Sequence, residues 1–472
     1  MNTTRTEAEV YDAMRDIERR HGLFRLVIDG VSPWQLVKFE ASVFAQGVNL
    51  ARKPIGRSVL MFSVFRGVGK IFRRRRKVRY LCKSFDSAYR IPAGRHFQDI
   101  YFDVMIDAIK GGAKMSSCDA AGFEVNRNAA LRPPELDDTF VIILSALFGR
   151  FFPRHKHHSV FEAIERIMAQ EGVRISAQRV SRVYNAFHWR SVIYQQILRK
   201  MRPSVVLCAD GGQFALMAAA KTLSIPYIEM QHGLTTKSHP NVLPGDIADD
   251  ERQNLMMPDF FAVYGQHVVD ALQGSLLEKE GRVAPVGSGV MDVARRSSAR
   301  AYEGQTRPFV VTFTAQGIAT RQVANVLADF LKKIDKPVLL QIKLHPAYDS
   351  DKAELTLAFQ HDPRVLIFDG QQSVSTNDLI AASNLHASIS SSCHYDALGL
   401  GTPTVVLALE THESVSDLMG TPGVYLAHSG EELVSIVSGE IKRVPEETSN
   451  HHFAYGFVDR MASLLDRATG VA

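Results

Sequence analysis

Three apolar runs in the C-terminal half of the chain are each followed by residues that are candidates for binding a nucleotide phosphate. The candidates are Gln316 and Gly317 after the run 308–314, His345 and Pro346 after the run 337–344, and Ser390, Ser391 and Ser392 after the run 385–389. Serine hydroxyls and backbone N–H groups at the start of a helix bind anions, with help from the positive end of the helix dipole. A histidine can also donate a hydrogen bond to a departing phosphate. The pattern predicts a metal-free site for a nucleotide monophosphate or diphosphate.

Two residues in the first half of the chain are candidates for a general base. Asp210 follows the apolar run 204–209, and His232 follows the run 226–230. A helical pattern separates the runs, so we predict two parallel strands whose carboxyl ends share the edge of a sheet where ligands bind. Either side chain can take a proton from an acceptor hydroxyl there. Alternatively, Asp210 caps the next helix and His232 is a turn residue bonded to the backbone.

The neighbours of these two residues are predicted to support them. Gly211 follows Asp210 and contributes to the turn after the first of the two strands. Gln231 and Gly233 flank His232, and the glycine is expected to permit a tight turn that exposes the imidazole. Glu229 lies inside the second strand, where it can orient the histidine or, alternatively, pair with Lys237 or Arg202.

Metal ligation is not predicted. The run 155–158 contains three histidines, but no carboxylate or cysteine accompanies them at ligand spacing, so a solvated basic loop is the better interpretation. The acidic pair Asp249 and Asp250 lies in a polar loop rather than at the end of a strand. No glycine-rich phosphate loop stands between a strand and a helix. We therefore expect neither a metal ion nor a cofactor.

The elements that must position these residues alternate between strand and helix. Short apolar runs are separated by helical patterns such as 214–223 and 322–333. This alternation is typical of a doubly wound parallel sheet, and because it occurs twice we predict the α/β class, with two Rossmann-like domains facing a cleft. The predicted divisions are an N-terminal domain at 1–294 (a helix-rich part at 1–200 and an α/β core at 200–290), a polar linker at 295–307, a C-terminal domain at 308–450 and a final helix at 451–472.

Composition narrows the class of protein. The 472 residues have a hydrophobic fraction of 46% and a net charge of +5. No apolar run is long enough to cross a bilayer, and the first thirty residues lack a secretory pattern. The four cysteines are far apart and fit a reducing compartment. We therefore expect a cytoplasmic protein.

Positive charge is concentrated near the N-terminus. Residues 1–110 contain 21 Lys and Arg against 11 Asp and Glu, and the densest run is Lys70–Arg79. Its apolar neighbours favour an anionic membrane surface as its partner, at about 1 kcal/mol per basic residue near the lipid. A solvated loop before a strand is the alternative. Nucleic-acid binding is not expected, because no aromatic interleaving or recognised binding module accompanies the charge.

Several of these motifs resemble those of bacterial surface-polysaccharide glycosyltransferases with the GT-B fold. The segment 225–234, which contains Gln-His-Gly, is similar to a segment of capsule and O-antigen enzymes. Lys343–Pro346 resembles the His-Pro motif of bacterial sialyltransferases, Kdo transferases and CDP-glycerol glycerophosphotransferases, and 390–403 resembles their serine motif. Asp210 and Gly211 resemble the acidic-Gly motif of sialyl and Kdo transferases, without its second acidic residue.

The resemblance implies a function as well as a fold. It implies a metal-independent, inverting glycosyltransferase that moves a sugar from a nucleotide-activated donor, expected to be CMP-linked, to a glycan or lipid-linked glycan acceptor. His345, Ser391 and Ser392 would hold the donor phosphate and cytidine, with Lys343 in support. Asp396 stands where transferases that bind a ribose usually have glutamate. The GT-B fold further implies a final helix that crosses back to the first domain.

Two alternatives keep the same fold. A CDP-polyol phosphotransferase would leave phosphorus in the product linkage. An epimerase of UDP-N-acetylhexosamine would need a cluster of carboxylates facing the sugar in both domains, and the sequence indicates none. A binding module without catalysis would leave the polar residues at the strand ends of both domains unexplained.

Overall fold

Two parallel β-sheets organise the chain. The structure is a computed structural model that describes residues 7–45, 77–86, 89–118, 130–301, 308–345, 349–369 and 374–470. In chain order the strands are β1 (Tyr80–Phe85), β2 (Tyr89–Ala93), β3 (His96–Asp99), β4 (Gly112–Ser117), β5 (Leu136–Asp137), β6 (Val205–Cys208), β7 (Tyr227–Met230), β8 (Phe260–Val263), β9 (Val283–Pro285), β10 (Phe309–Thr314), β11 (Val338–Lys343), β12 (Val365–Phe368), β13 (Leu385–Ser388), β14 (Thr404–Leu407) and β15 (Val424–Ala427). Strands β2 and β3 form a separate antiparallel pair.

The first sheet has seven strands in the order β5-β4-β1-β6-β7-β8-β9, and all neighbours are parallel. The chain places β4 and β5 on one side of β1 and then returns to place β6 on the other side. The strand order therefore reverses between β1 and β6. Ligands of doubly wound sheets bind outside the carboxyl ends of the strands at such a reversal. Asp210 follows β6 at this point.

The second sheet repeats this topology. Its six parallel strands have the order β12-β11-β10-β13-β14-β15, so the order reverses between β10 and β13. Gln316 follows β10 and Ser390 follows β13. The predicted class, two doubly wound Rossmann-like domains, is confirmed.

Helices cover the sheets. In chain order they are α1 (Glu7–His21), α2 (Pro33–Ala45), α3 (Asp103–Ala108), α4 (Thr139–Phe151), α5 (Ser159–Gln170), α6 (Ala177–Met201), α7 (Phe214–Thr222), α8 (Asp249–Arg252), α9 (Gln266–Ala271), α10 (Leu276–Lys279), α11 (Gly289–Ala301), α12 (Thr320–Lys333), α13 (Asp349–Phe359), α14 (Thr376–Ala381), α15 (Cys393–Gly399), α16 (Gly430–Ser438), α17 (Glu446–His452) and α18 (Phe457–Thr469). Short 3-10 helices span Leu23–Arg25 and His412–Leu418.

Strand β6 is buried on both faces of the first sheet. Val206 and Cys208 are buried in a core shared with α6 and α7. Val205 and Leu207 are buried in a second core shared with α3 and α18. Alternate side chains of a strand point to opposite faces, so an uninterrupted apolar run requires partners on both sides. The run 204–209 predicts this strand for the same reason.

The last helix returns to the first sheet. Phe457, Met461, Leu464 and Leu465 of α18 are spaced at helical intervals and are buried in the core that contains Leu207. Burial of such side chains contributes about 1.5–3 kcal/mol each. The predicted crossing helix is therefore confirmed.

The first sheet begins earlier in the chain than the sequence predicts. Strands β1, β4 and β5 belong to residues 1–200, so the α/β core starts at Tyr80 rather than near residue 200. Lys83 and Lys114 lie within β1 and β4 and are buried. They interrupt the apolar run that would otherwise have indicated each strand.

The predicted linker also differs from expectation. Residues 295–301 continue helix α11, whereas 302–307 lie outside the described residues. Arg295, at the start of the predicted linker, is part of the folded structure. Its guanidinium donates hydrogen bonds to the backbone carbonyls of Gly399 and Ser449.

No helix in the described part of the chain is long and apolar enough to cross a membrane. Of the basic run Lys70–Arg79, residues 70–76 lie outside the described residues. Arg79 pairs with Asp466 of α18 at 2.7 Å. The contact of this run with a membrane surface stays a prediction.

Candidate functional site

A glutamine joins the two strands between which the second sheet reverses its order. The Oε1 atom of Gln316 accepts hydrogen bonds from the N–H of Ser390 at 2.9 Å and from the hydroxyl of Ser388 at 3.2 Å. The Ser390 hydroxyl lies 2.9 Å from Oγ1 of Thr411, which follows β14. Gly317 has a φ of 73°, in the left-handed region that favours glycine, so the chain turns sharply beside the glutamine. The network fixes the loops around the crevice at the reversal.

The serines after β13 leave backbone donors for a ligand. Ser392 precedes helix α15, and the Ser391 hydroxyl accepts a hydrogen bond from the N–H of Cys393 at 3.2 Å. The N–H groups of Ser391 and Ser392 themselves donate to no residue in the described ranges. Two adjacent amides at the start of a helix are suitable donors for the oxygen atoms of a phosphate.

Asp396 lies one helical turn beyond the serines. Burial raises the pKa of its carboxyl group to about 7, so much of it is protonated at neutral pH. Among the described residues, none forms a hydrogen bond or an ion pair with this carboxyl group. A carboxyl group in this state can both donate to and accept from the hydroxyls of a ribose.

In the segment Lys343–Pro346, Lys343 has a structural role and His345 is partly accessible to a ligand. The buried Lys343 donates from Nζ to the backbone carbonyls of Asp369 at 2.8 Å and Val374 at 3.3 Å, and burial lowers its pKa. Lys343 therefore ties the loop after β12 to the end of β11. His345 follows and is half-buried, while Pro346 lies outside the described residues.

Asp210 lies where the first sheet reverses its order. Its Oδ1 atom accepts a hydrogen bond from the N–H of Gly212 at 2.8 Å, and its Oδ2 atom accepts one from Nε2 of Gln213 at 2.8 Å. Gln213, not Asp210, occupies the cap position of α7, so the helix-capping alternative is wrong. The carboxylate is held at both oxygens but stays half-buried, within reach of a ligand.

A second carboxyl group lies beside Asp210. Glu229 is in register with Cys208 across β6 and β7, and a Cβ atom on Gly211 would lie only 2.7 Å from its Oε1. Glycine at 211 permits this approach. Burial, and secondarily the charge of Asp210, raises the pKa of Glu229 to about 8. Glu229 therefore carries a proton at neutral pH, next to Asp210.

His232 and His239 line a small cavity of about 50 Å³ together with Glu229. Burial lowers the pKa of His239 to about 4, and electrostatic interaction with His232 and Lys38 lowers it further. The Tyr101 hydroxyl donates to the backbone carbonyl of His232 at 2.9 Å, while His232 is exposed. The two predicted base candidates thus meet at one edge of the sheet.

The turn that carries His232 is shaped by Gln231 rather than by glycine. The Gln231 amide accepts from the N–H of Tyr264 at 2.8 Å and donates to the carbonyl of Gly233 at 2.8 Å. Gly233 does not adopt a left-handed φ, and a Cβ atom there would meet nothing within 4 Å. The turn exposes His232, but its backbone conformation does not depend on glycine at 233.

Sequence reasoning missed a buried polar cluster next to Asp210. Lys83 lies in β1 and is in register with Cys208 of β6. Its Nζ atom donates to Oγ of Ser117 at 2.6 Å and to Oδ1 of Asp138 at 2.9 Å. Ser117, the last residue of β4, and Asp138, directly after β5, are the signal that could have located it. His239, which follows the Gln-His-Gly segment closely, was given no role.

Metal-ligand geometry does not appear in the described ranges, where no cluster of three or more potential ligands occurs. In the run 155–158, His155 pairs with Asp29 at 3.1 Å. His158 accepts a hydrogen bond from the N–H of Val160 at the start of α5. The expectation of metal-independent chemistry stays a prediction.

Comparison with known proteins decides the fold. No protein-family model and no curated protein sequence matches the chain. Among solved structures, the UDP-GlcNAc 2-epimerase of Methanocaldococcus jannaschii matches with a TM-score of 0.51 at 12% identity, over 82% of this chain and 99% of that chain. The fold is GT-B.

Two further structures match at lower TM-scores. The UDP-GlcNAc 2-epimerase of Neisseria meningitidis bound to UDP-GlcNAc has a TM-score of 0.46 at 15% identity, over 83% of this chain and 99% of that chain. The calicheamicin glycosyltransferase CalG4 has a TM-score of 0.46 at 11% identity, over 84% and 99%. The narrower resemblance to Kdo and sialyl transferases stays a prediction.

Proposed function

We propose that the protein is a metal-independent, inverting glycosyltransferase that moves a sugar from a nucleotide-activated donor to a glycan or lipid-linked glycan acceptor. The observation that carries the proposal is the pair of carboxyl groups at the reversal of the first sheet. Asp210 is fixed by two hydrogen bonds, and Glu229 beside it has a pKa of about 8. Asp210 and the protonated Glu229 beside it supply a base and an acid in one site.

The donor nucleotide binds at the second sheet in this proposal. The N–H groups of Ser391 and Ser392 donate to its phosphate oxygens, and Gln316 holds the adjoining loops in place. Asp396 binds the ribose hydroxyls. His345 donates to the leaving phosphate as negative charge develops on it.

The acceptor binds at the first sheet. Asp210 takes the proton of the acceptor hydroxyl while the acceptor oxygen attacks the anomeric carbon, and a base held in position accelerates this step by roughly 10²–10⁴-fold. The bond between that carbon and the phosphate oxygen breaks, and the nucleotide leaves with the electron pair. Attack from the opposite face inverts the configuration. The protonated Glu229 donates a hydrogen bond to the acceptor, and His232 contacts it from the exposed turn.

The carboxyl pair also favours a second candidate, epimerisation at carbon 2 of a UDP-N-acetylhexosamine. The sequence analysis requires carboxylates that face the sugar in both domains for an epimerase, and in the first domain Asp210 and Glu229 are neighbours. An acid and a base at one carbon can remove a proton and return it. In deuterated water an epimerase exchanges the hydrogen at carbon 2 of UDP-N-acetylglucosamine without an acceptor, whereas the proposed transferase does not. Proton NMR of the sugar nucleotide distinguishes the two.

A panel of CMP, CDP, UMP, UDP and GDP tests the nucleotide site by thermal shift, with and without EDTA. A ligand at 100 times its dissociation constant stabilises the folded state by about 2.7 kcal/mol. We expect a cytidine nucleotide to stabilise the wild type regardless of EDTA, and His345→Ala to remove the effect. His361→Ala, an exposed histidine of the same domain, is the matched control.

The outcomes separate the proposals. Stabilisation that disappears with EDTA contradicts metal independence, and stabilisation by UDP instead of CMP or CDP contradicts a cytidine donor. If the donor is a cytidine nucleotide and the product linkage contains phosphorus, the reaction is transfer of a polyol phosphate rather than transfer of a sugar. No stabilisation by any nucleotide would contradict the proposed function itself.

A further inference from the structure

A large groove lies among the N-terminal helices. Its volume is about 1040 Å³, and residues of α2, α4, α5 and α6 line it. The Tyr194 hydroxyl of α6 donates to Asp138, directly after β5, at 2.8 Å. Residue 194 is therefore level with the carboxyl edge of the first sheet. Residues 177–193, roughly 25 Å of helix, extend beyond that edge, so the groove lies on the ligand side of the sheet.

The inner end of the groove reaches the proposed base. Gly212 and Phe214 line the groove, and the N–H of Gly212 holds the Asp210 carboxylate at 2.8 Å. Phe214 also lines the small cavity that contains His232 and Glu229. A molecule that fills the groove would therefore end beside the acid–base pair.

The lining of the groove is positively charged. It contains two glutamates, Glu40 and Glu162, and five basic residues, which are Arg150, Lys156, Arg179, Arg182 and Arg190. The Glu40 carboxylate forms an ion pair with Arg179, and its Oε2 atom lies 2.7 Å from Nη2. Within the described ranges, no carboxylate pairs with Arg150, Lys156 or Arg182. Unpaired arginines in a groove are suited to phosphate oxygens, which they bind through two parallel hydrogen bonds.

Beside the groove, the end of α4 is apolar and exposed. Leu147, which lines the groove, is 45% exposed, and Phe151 and Phe152 at the end of α4 are 66% and 64% exposed. The guanidinium of Arg150 lies 5.9 Å from the Phe151 ring centroid. Exposed phenylalanines beside cations are typical of surfaces that meet the boundary between lipid headgroups and hydrocarbon.

We infer that this groove binds a lipid-linked acceptor through its phosphate or diphosphate, with the lipid chain against Leu147, Phe151 and Phe152. The inference rests on the proposed transfer function and adds the class of acceptor to it. Arg150 and Arg182 contact the phosphate oxygens. The end of the acceptor that receives the sugar lies at Gly212, next to the base.

Binding of three probes to the intact chain tests the inference without donor or turnover. The probes are geranylgeranyl diphosphate, inorganic diphosphate and uncharged geranylgeraniol, measured by calorimetry. Trp189 is a reporter for the end of α4, because its Nε1 donates to the carbonyl of Phe152 at 2.8 Å. We expect geranylgeranyl diphosphate to bind most tightly and to change the fluorescence of Trp189.

Two double variants test the charged part and the apolar part of the proposed binding surface separately. Arg150→Ala with Arg182→Ala should weaken both diphosphates at least tenfold, since a hydrogen bond to a charged group is worth about that factor. Phe151→Ser with Phe152→Ser should weaken geranylgeranyl diphosphate and leave the binding of inorganic diphosphate unchanged. Arg199→Ala, an exposed arginine at the other end of α6, should change neither.

Each remaining outcome contradicts a defined part of the inference or of the proposed function. Equal binding of geranylgeranyl diphosphate by the wild type and the arginine double variant overturns the inference. Equal affinity of the wild type for both diphosphates overturns the lipid contact. If nucleotides bind but no diphosphate does, only this inference fails. If diphosphate lipid binds but no nucleotide does, the proposed function fails.

Discussion

Replacement of Glu229 by glutamine should stabilise the protein at alkaline pH while reducing its activity. The pKa of Glu229 is raised from the ordinary 4.5 to about 8, first by burial and then by the charge of Asp210. The stabilising effect of its bound proton is complete below pH 4.5 and is lost as the pH rises through 8, because the buried group then ionises. The two pKa values set an upper bound of about 5 kcal/mol on this loss. Because the side chain is only partly buried from solvent, we expect the measured loss to reach about 2 kcal/mol.

Urea unfolding at mildly acidic and at alkaline pH measures this loss directly. The wild type should lose about 2 kcal/mol of unfolding free energy between the two conditions, and Glu229→Gln should lose almost none of it. Glu165→Gln removes an exposed carboxylate of α5 and should behave like the wild type. Sugar transfer by Glu229→Gln should fall at neutral pH, since the amide cannot ionise or exchange a proton as the acid does.

Equal losses of unfolding free energy in the wild type and in Glu229→Gln would refute the assignment. Glu229 would then be ionised at neutral pH in the folded protein, and the acid–base pair would not exist. Full activity in Glu229→Gln with the expected change in stability would instead show that the bound proton is not used in the reaction.

Two further predictions concern packing and acid stability. Gly211→Ala places a Cβ atom 2.7 Å from Oε1 of Glu229 and should destabilise the fold by about 1–3 kcal/mol. The Cβ atom of Gly233→Ala meets nothing within 4 Å, so this control variant should not be destabilised. Thermal unfolding compares the two variants, and equal melting temperatures would contradict the close approach. Burial lowers the pKa of His394 from 6.5 to about 4, so its stabilising neutral state is lost as the pH falls below 6.5. His394→Gln should therefore reduce the loss of unfolding free energy between pH 7 and pH 5 by about 2 kcal/mol, with the exposed His428→Gln as the control, and an unchanged loss in His394→Gln would contradict the assignment.

Much of the fold could be predicted wherever a strand is an unbroken apolar run. The run 385–389 predicts β13, which spans Leu385–Ser388, and the helical pattern 214–223 predicts α7. Strands β1 and β4 could not be recognised in this way. Lys83 and Lys114 within them are buried and paired with aspartates, and those partners lie in other elements.

The candidate site was predicted as separate strand ends, not as a chemical arrangement. Asp210 and His232 were identified because each follows a parallel strand. The protonation of Glu229 could not be predicted, since it depends on Gly211 leaving room and on the nearby charge of Asp210. Gln316 was found by its position after β10, but its bonds to the serines depend on the reversal of strand order.

Binding of ribonucleotide and 2′-deoxyribonucleotide to the wild type and to Asp396→Ala tests the central claim most directly. Calorimetry should show that the wild type binds the ribose form of the nucleotide about tenfold more tightly than the deoxy form, because the hydroxyl bonds to a largely buried carboxyl group. Asp396→Ala should bind both forms equally, and Asp335→Ala, an exposed aspartate of the same domain, should keep the wild-type preference. The same ribose preference in the wild type and in Asp396→Ala would contradict a nucleotide site at the second sheet.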